Sequence, residues 1–475
     1  MNFNLVVIGS GLSALSFIDS YLENNTEIDV ISPEFQDVLD AQKTNNSHLF
    51  VNKNLPPQMQ DNLTKIKNYF TYNNFNVNKN ANVMGSLEFG GLSNYWGFQM
   101  DRDILGDAKI LSKKNKRKLQ EAFFELAEKL EILGKFNVNK KSFSNDFEVD
   151  NFFENLIKQK KIEKLDIIKP LLAISALKKN DKKINLNKIN EEDSKVNAKN
   201  YYRKFLKDKN IRFHNYAITK IFLEKDRVKL VGQNKNNEKI FYSKKVVFAC
   251  GTLVTTKLIL ESLKIKQEIK VKEHPRLLSV FFSKKKIQNY LEFMPSQMQI
   301  RSDKGARSFL VDFRPGNKFI IDTALQIYKF LLPFKFLLYY LRNNMIFSNI
   351  LLDSKYSNIF MKMEKNSKTL IYSKNKNNYR ILKKVHKEIL KLLQNKNLIY
   401  PISKNIFPGH GSAYHYFGTI PITKKNKQLS VNDKCQLKNF KNVYVVDGSV
   451  FDFKINKYPL GVIMANARRV AKEIK

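Results

Sequence analysis

Leu5-Val6-Val7-Ile8-Gly9-Ser10-Gly11-Leu12-Ser13-Ala14 decides the architecture of this chain. Four apolar residues in a row suit a strand buried on both faces. The glycines then turn the chain sharply, and Leu15 to Leu22 continues with helical spacing. Ile28-Asp29-Val30-Ile31 reads as the next strand, halted by Ser32-Pro33. In such a strand–turn–helix, Gly9 permits the tight turn, Gly11 lets backbone approach a pyrophosphate, and the small Ala14 lets helix pack on strand. Free N–H groups and the dipole at the helix N-terminus favour the negative charge. A dinucleotide site is therefore expected. The acid that would take the adenosine ribose is less clear: Glu34 is the candidate, against a serine-mediated contact from Ser32.

The 475 residues exceed one core and suggest two or three compact units. The two cysteines, Cys250 and Cys435, lie in no CxxC or Cys/His cluster, which excludes a disulfide scaffold and leaves no metal site expected. The net charge of +39 has three readings. Abundant Lys, Asn, Ile, Phe and Tyr fit an AT-rich genome; an anionic substrate or membrane surface is the second; nucleic acid is the third. Net charge speaks to partners, not fold. The basic runs are dispersed and no glycine–aromatic RNA signature accompanies them, so no nucleic acid is expected. No basic leader or cleavage site precedes the first strand, and no stretch of about 20 apolar residues could span a bilayer. The expectation is a cytoplasmic protein.

A second glycine cluster, Gly85-Ser86-Leu87-Glu88-Phe89-Gly90-Gly91-Leu92-Ser93-Asn94-Tyr95-Trp96-Gly97, marks a backbone that approaches something closely. Residues 112–134 and 379–395 read as helices, and 211–251 and 276–312 as runs of strands. Residues 408–419 read as a hairpin region, and 459–474 as a last helix. Leu331-Leu332-Pro333-Phe334-Lys335-Phe336-Leu337-Leu338-Tyr339-Tyr340, flanked by Lys329 and Arg342, has two readings. It is either a helical cover buried on a sheet or a basic aromatic helix at an anionic membrane interface.

Further motifs follow in order: Val246-Val247-Phe248-Ala249-Cys250-Gly251-Thr252, Glu273-His274-Pro275 and His415-Tyr416-Phe417-Gly418-Thr419. Val443-Tyr444-Val445-Val446-Asp447-Gly448-Ser449 and Pro459-Leu460-Gly461-Val462-Ile463-Met464-Ala465-Asn466-Ala467 close the series. With the two glycine turns, this arrangement resembles the glucose–methanol–choline (GMC) family of FAD-dependent oxidoreductases. The resemblance touches the first hundred residues, roughly 245–275, and the last seventy.

It implies an α/β fold: a Rossmann-like FAD-binding domain assembled from separated segments (1–100, 205–275 and 405–475), plus a substrate domain with an antiparallel sheet and helices (101–204 and 276–404). Gly9, Gly11 and Ala14 match the pyrophosphate turn; Gly90, Gly91, Ser93 and Asn94 the loop along the flavin; Asp447 and Gly448 the segment near the pyrophosphate and ribityl chain. Tyr95 stands where some relatives attach the flavin through histidine, so non-covalent FAD is expected.

Removing hydride from a carbinol carbon leaves a carbonyl, so the hydroxyl proton needs a base, and a neutral imidazole suits that role. His415 matches the histidine the family places beside the reacting carbon. His48, His214 and His386 lie outside any motif, His274 reads as structural, and His410 as either pocket or turn. The family's second His or Asn before a proline is absent: Tyr458 precedes Pro459, and Asn456 lies two residues earlier. Either residue supplies the second polar group, or oxidation chemistry is altered or lost. The expected substrate is a small molecule or sugar-containing alcohol; the electron acceptor is unnamed. A reductase or epimerase acting on a sugar carbon, and a non-catalytic FAD-binding membrane scaffold, are the competing readings.

Overall fold

In the computed structural model the described residues are 1–33, 63–101, 110–130, 132–133, 135–137, 142–144, 149–175, 195–234, 237–287, 296–302, 308–316, 318, 321–322, 325, 329–364, 368–374, 378–425, 427–453 and 458–474. Glu34, His48 and Asn456 lie outside them.

The opening stretch forms β1 (Asn2–Ile8), α1 (Leu12–Tyr21) and β2 (Ile28–Ile31). Val6, Val7, Val30 and Ile31 are wholly buried, as expected of strands covered on both faces. Five segments run parallel in the order 211–214, 28–31, 2–8, 246–248 and 443–445, so three distant parts of the chain build one sheet. The first half of strand Glu238–Phe248 instead joins an antiparallel meander with Val228–Gln233 and Ala217–Leu223.

Helix α1 is buried along almost its whole length, under the helices Leu460–Ala471 and Ala198–Phe205. Its Asp19, 2% exposed, would be costly there without partners. It accepts from the Tyr201 hydroxyl at 3.0 Å, Arg468 at 2.7 Å and Lys129 at 2.6 Å. One carboxylate thus ties together α1, Ala198–Phe205, Leu460–Ala471 and the helix Lys113–Lys129. That last helix, within 101–204, packs on Leu460–Ala471.

A second, antiparallel sheet of seven strands takes the order 399–406, 276–283, 345–352, 309–315, 298–302, 165–168 and 161–162. The helix Asn378–Asn395 covers one face with Leu382, Val385, His386, Ile389, Leu392 and Leu393, the spacing of an amphipathic helix. His386 stacks on Phe281 at 5.2 Å and binds Ser279 and Ser403, so it is a core residue. Because side chains alternate along a strand, Leu277, Ser279 and Phe281 face this helix. Arg276, Asp312, Arg314, Asn349 and Leu351 then fall on the opposite face, towards the parallel-sheet layer.

Two expectations are corrected. Residues 408–419 form no hairpin: Gly409, Gly411, Gly418 and Tyr414 all have positive φ, which breaks any ladder. The segment makes single bridges instead, His410 to Ala81 and Phe417 to Lys272. The aromatic segment Lys329–Leu341 is not a buried cover, since none of its residues is buried.

Candidate active site

A cleft lies where β1 ends, and about 1450 Å³ between its walls, the open mouth included, is free of atoms. Gly9, at φ +114°, forms its floor; a Cβ there would meet the Ala249 carbonyl oxygen at 2.5 Å. Gly11 differs. Its φ of −67° suits any residue, and an added Cβ would find only the Gly90 carbonyl, at 3.7 Å. The fold has no need of glycine at this point, so the room is left for something else. Gly11 caps α1 without a side-chain hydrogen bond, leaving first-turn N–H groups of α1 unclaimed by a cap.

Ser10 staples the entrance. Its hydroxyl receives the Gly90 N–H at 3.1 Å and the Ser32 hydroxyl at 2.8 Å. Ser32, at the end of β2, is thereby engaged with the turn itself. Gly90 and Gly91, at φ +92° and +52°, and Ser93 line the cleft. Ala14 and Asn94 do not: Ala14 is buried in α1, and Asn94 donates to the Phe89 carbonyl at 2.6 Å, bracing the loop from inside. Tyr95 donates to Glu88 at 2.6 Å.

Asp447 and Gly448 form the opposite wall. The carboxylate of Asp447 accepts from the Ser449 N–H at 3.0 Å and the Thr255 hydroxyl at 2.5 Å, while burial pushes its pKa up. A Cβ on Gly448 would stand 2.8 Å from the Tyr416 carbonyl oxygen, so this approach requires glycine. Gly251, at φ +85° with open space around it, caps the helix Thr252–Ser262 beside the same cleft. It is a wall residue that the sequence reading quoted within a motif but did not select.

The far end of the cleft holds His415 and Tyr458. Their rings meet edge to face at 5.7 Å. His415 is partly open to the cleft, but its Nδ1 is buried and without a partner, so Nε2 is the nitrogen left to face a ligand. Desolvation first, then His274 and Arg276, push its pKa down to about 3. The imidazole is therefore neutral. His274 stands 6.3 Å from His415, also edge to face, and binds the Leu352 carbonyl at 3.1 Å. Burial lowers it to about 4.

Tyr458 is committed to a buried network. Its hydroxyl donates to Asp312 at 2.6 Å, and the same carboxylate oxygen accepts from Gln99 and Arg314, each at 2.9 Å. The other oxygen accepts the Asn349 N–H at 3.0 Å. Burial, with the Asp312 charge, holds the phenol well above its usual range. A side chamber continues from here, walled by His415, Tyr458, Tyr414, Arg276, Arg314 and Asn349 among others. Of the remaining histidines, His214 pairs with Asp29 at 2.9 Å on the sheet edge, and His410 packs on Phe407 at 5.3 Å. Asp312, Arg314 and Arg276 were missed in sequence. The signal available was polar residues at alternate positions of Leu310-Val311-Asp312-Phe313-Arg314, an otherwise apolar strand.

Among the described residues no group of His, Cys, Asp or Glu could hold a metal. Residues 372–467 match a family model described as GMC oxidoreductase, and the matched span contains His415, Asp447, Gly448 and Tyr458. The resemblance to GMC oxidoreductases therefore holds over this segment, and with it the general class of oxidoreductase. No curated protein matches the chain.

Proposed function

We infer that the chain is an FAD-dependent oxidoreductase that oxidises an alcohol carbon of a sugar, polyol or sugar-containing intermediate. The supporting observation is continuity: one cleft runs from the Gly9–Gly11 turn past Gly90 and Gly91 to His415 and Tyr458. The open space over Gly11 and the uncapped α1 N-terminus suit an extended diphosphate-bearing cofactor. FAD would be held non-covalently by Gly9, Gly11, Gly90, Gly91, Ser93, Asp447 and Gly448. Flavin bound there supplies the hydride acceptor for the carbinol carbon.

The protein's own contribution is positioning and proton management. His415, neutral and with Nε2 towards the cleft, accepts the proton of the substrate hydroxyl. Tyr458 has its proton engaged by Asp312, so its oxygen lone pairs are what it offers a hydroxyl; it orients and does not titrate. Asp312, Gln99 and Arg314 fix it from behind.

The protein works, on this reading, against an anionic membrane surface. Lys329–Leu341 exposes Phe330 (71%), Phe336 (86%) and Tyr340 (74%) beside Lys329, Lys335 and Arg342. Among the described residues no helix is long and apolar enough to cross a membrane. Both cysteines are free, which suits a reducing compartment.

The visible spectrum of the purified protein, before and after acid precipitation, tests the cofactor. Yellow colour that leaves with the supernatant is expected; a colourless protein that cannot be reconstituted with FAD refutes the reading. Anaerobic bleaching by a panel of sugars and polyols tests the chemistry. No bleaching by any of them, with H415N indistinguishable from the parent, would leave only a flavin-binding protein.

A further inference from the structure

Among the described residues the side chamber contains a buried guanidinium that makes no hydrogen bond or ion pair. Arg276 is 7% exposed and forms part of the chamber wall beside His415 and Tyr458. Its Nε and one terminal nitrogen find no hydrogen-bond partner among the described residues. Its close neighbour is the Tyr414 ring, 5.2 Å from the guanidinium carbon, a contact worth far less than a carboxylate. Glu273 acts on it through space and has its Oε2 unpartnered, but neither Glu273 nor Asp312 makes a hydrogen bond or ion pair with it among the described residues. Asp312 already accepts from Tyr458, Gln99, Arg314 and the Asn349 N–H. Burial raises Glu273 to about 7, and it accepts the Gly411 N–H at 2.6 Å.

Burying a guanidinium unpaired costs several kcal/mol in general, and a fold keeps such a group where something returns the cost. Arg276 does not brace the fold as Arg468 does through Asp19. It lies instead within the chamber where the substrate alcohol must sit if His415 and Tyr458 receive it.

We propose that Arg276 is a specificity residue that binds a carboxylate carried by the substrate, so that the enzyme acts on an acidic sugar or hydroxy acid and not on a neutral polyol. A guanidinium matches a carboxylate by its planar fork. One unpaired positive charge calls for one negative charge, which favours a carboxylate over a phosphate dianion. The proposal rests on the reading of this cleft as an alcohol-oxidising site. It also gives the binding step a chemical consequence. Arg276 is among the charges that hold down the basicity of His415, so a carboxylate bound to Arg276 offsets that charge and makes His415 a better base once substrate is present.

The test uses the purified holoprotein and probes small enough to enter the chamber: glycolate and D-glucuronate, with ethylene glycol and D-glucose as neutral counterparts and glucose 6-phosphate as the phosphate arm. Thermal shift and calorimetric binding are read beside the flavin spectrum. Glycolate, glucuronate or both should bind and stabilise the parent, the neutral pair should not, and R276Q should lose about 30-fold or more in carboxylate affinity. R276M and R276Q should be at least as thermostable as the parent without ligand, since each removes an unpaired buried charge. A yellow protein that ignores both carboxylates, binds them equally well as R276Q, or prefers the phosphate overturns this proposal alone. A protein that takes up no flavin overturns the underlying reading instead.

Discussion

The phenol of Tyr458 donates to Asp312 at 2.6 Å, so the residue beside His415 is fixed by a carboxylate that reaches it from the antiparallel sheet. This one bond couples the end of the cleft to the second sheet. Y458F removes one of four donors to Asp312 and should cost about 1–2 kcal/mol of stability. D312N takes away the charge facing Arg314 and should cost more, about 3–5 kcal/mol. Denaturant melts of the two variants check the order; equal losses would mean that Arg314 does not depend on Asp312.

His415 carries a pH prediction. With its pKa pushed down to about 3, it is neutral from pH 8 to pH 5, and the acid limb it imposes on kcat/KM should begin only below about pH 4. kcat/KM reports the free enzyme and kcat the complex, so the limb in kcat should lie at higher pH once substrate offsets Arg276. H415N should lower kcat by about 10²–10⁴ with flavin content unchanged. An acid limb near 6.5 that disappears in H415N would show an ordinary histidine and sink the argument.

Glu273 sets a stability profile of its own. Burial raises its folded pKa to about 7 from an ordinary 4.5. The native state therefore keeps a proton that the unfolded chain has lost between these values, and stability falls as pH rises from 4.5 to 7. The span corresponds to roughly 3 kcal/mol. E273Q stays neutral and should escape this loss, so the stability difference between variant and parent should widen in the variant's favour across that window. A constant difference from pH 4.5 to 7 would mean that Glu273 ionises normally.

The parallel half of the fold was legible because its signals are local. A double-sided apolar strand followed by Gly9-x-Gly11 reads correctly from ten residues, and the buried helix spacing of Leu382, Val385, Ile389 and Leu392 needs only periodicity. The wall of the side chamber was not legible, because Arg276, Asp312 and Asn349 lie far apart in sequence. Only the strand register, Asp312 opposite Asn349 and Arg276 opposite Leu351, aligns them on one face. The false hairpin at 408–419 has a similar origin. Glycines that suggested a tight turn serve long-range approach, with Gly411 at φ +88° against Asn82 and Val83.

Gly9 and Gly11 should fail in different ways. A Cβ at Gly9 strikes the backbone of Ala249 from a positive φ, so G9A should destabilise the fold by about 1–3 kcal/mol. At Gly11 the backbone already has N-cap geometry and the space is open, so G11S, which introduces a favoured cap, should fold with stability changed by no more than about 1 kcal/mol. It should nevertheless purify colourless, because its side chain occupies the room argued above for diphosphate. Thermal melts and the visible absorbance of bound flavin separate the two. A yellow G11S would show that the space has another purpose.

The exposed aromatic segment makes the last prediction. Phe330, Leu332, Phe334, Phe336, Leu337 and Tyr340 are all solvent-exposed within residues 330–340, whereas exposed large apolar side chains elsewhere among the described residues are scattered. A full transfer from water would return about 1.5–3 kcal/mol for each large apolar side chain, and each nearby Lys or Arg adds about 1 kcal/mol at an anionic surface. Partial insertion returns only part of the apolar term, and the basic residues add to it. The protein should therefore sediment with phosphatidylglycerol-containing vesicles and not with pure phosphatidylcholine, and high salt should weaken the binding. F330S/F336S should abolish it, while K329Q/K335Q should reduce it by about tenfold to thirtyfold. Binding that survives F330S/F336S unchanged would assign the attraction to the +39 net charge as a whole and leave this segment without a role at the membrane.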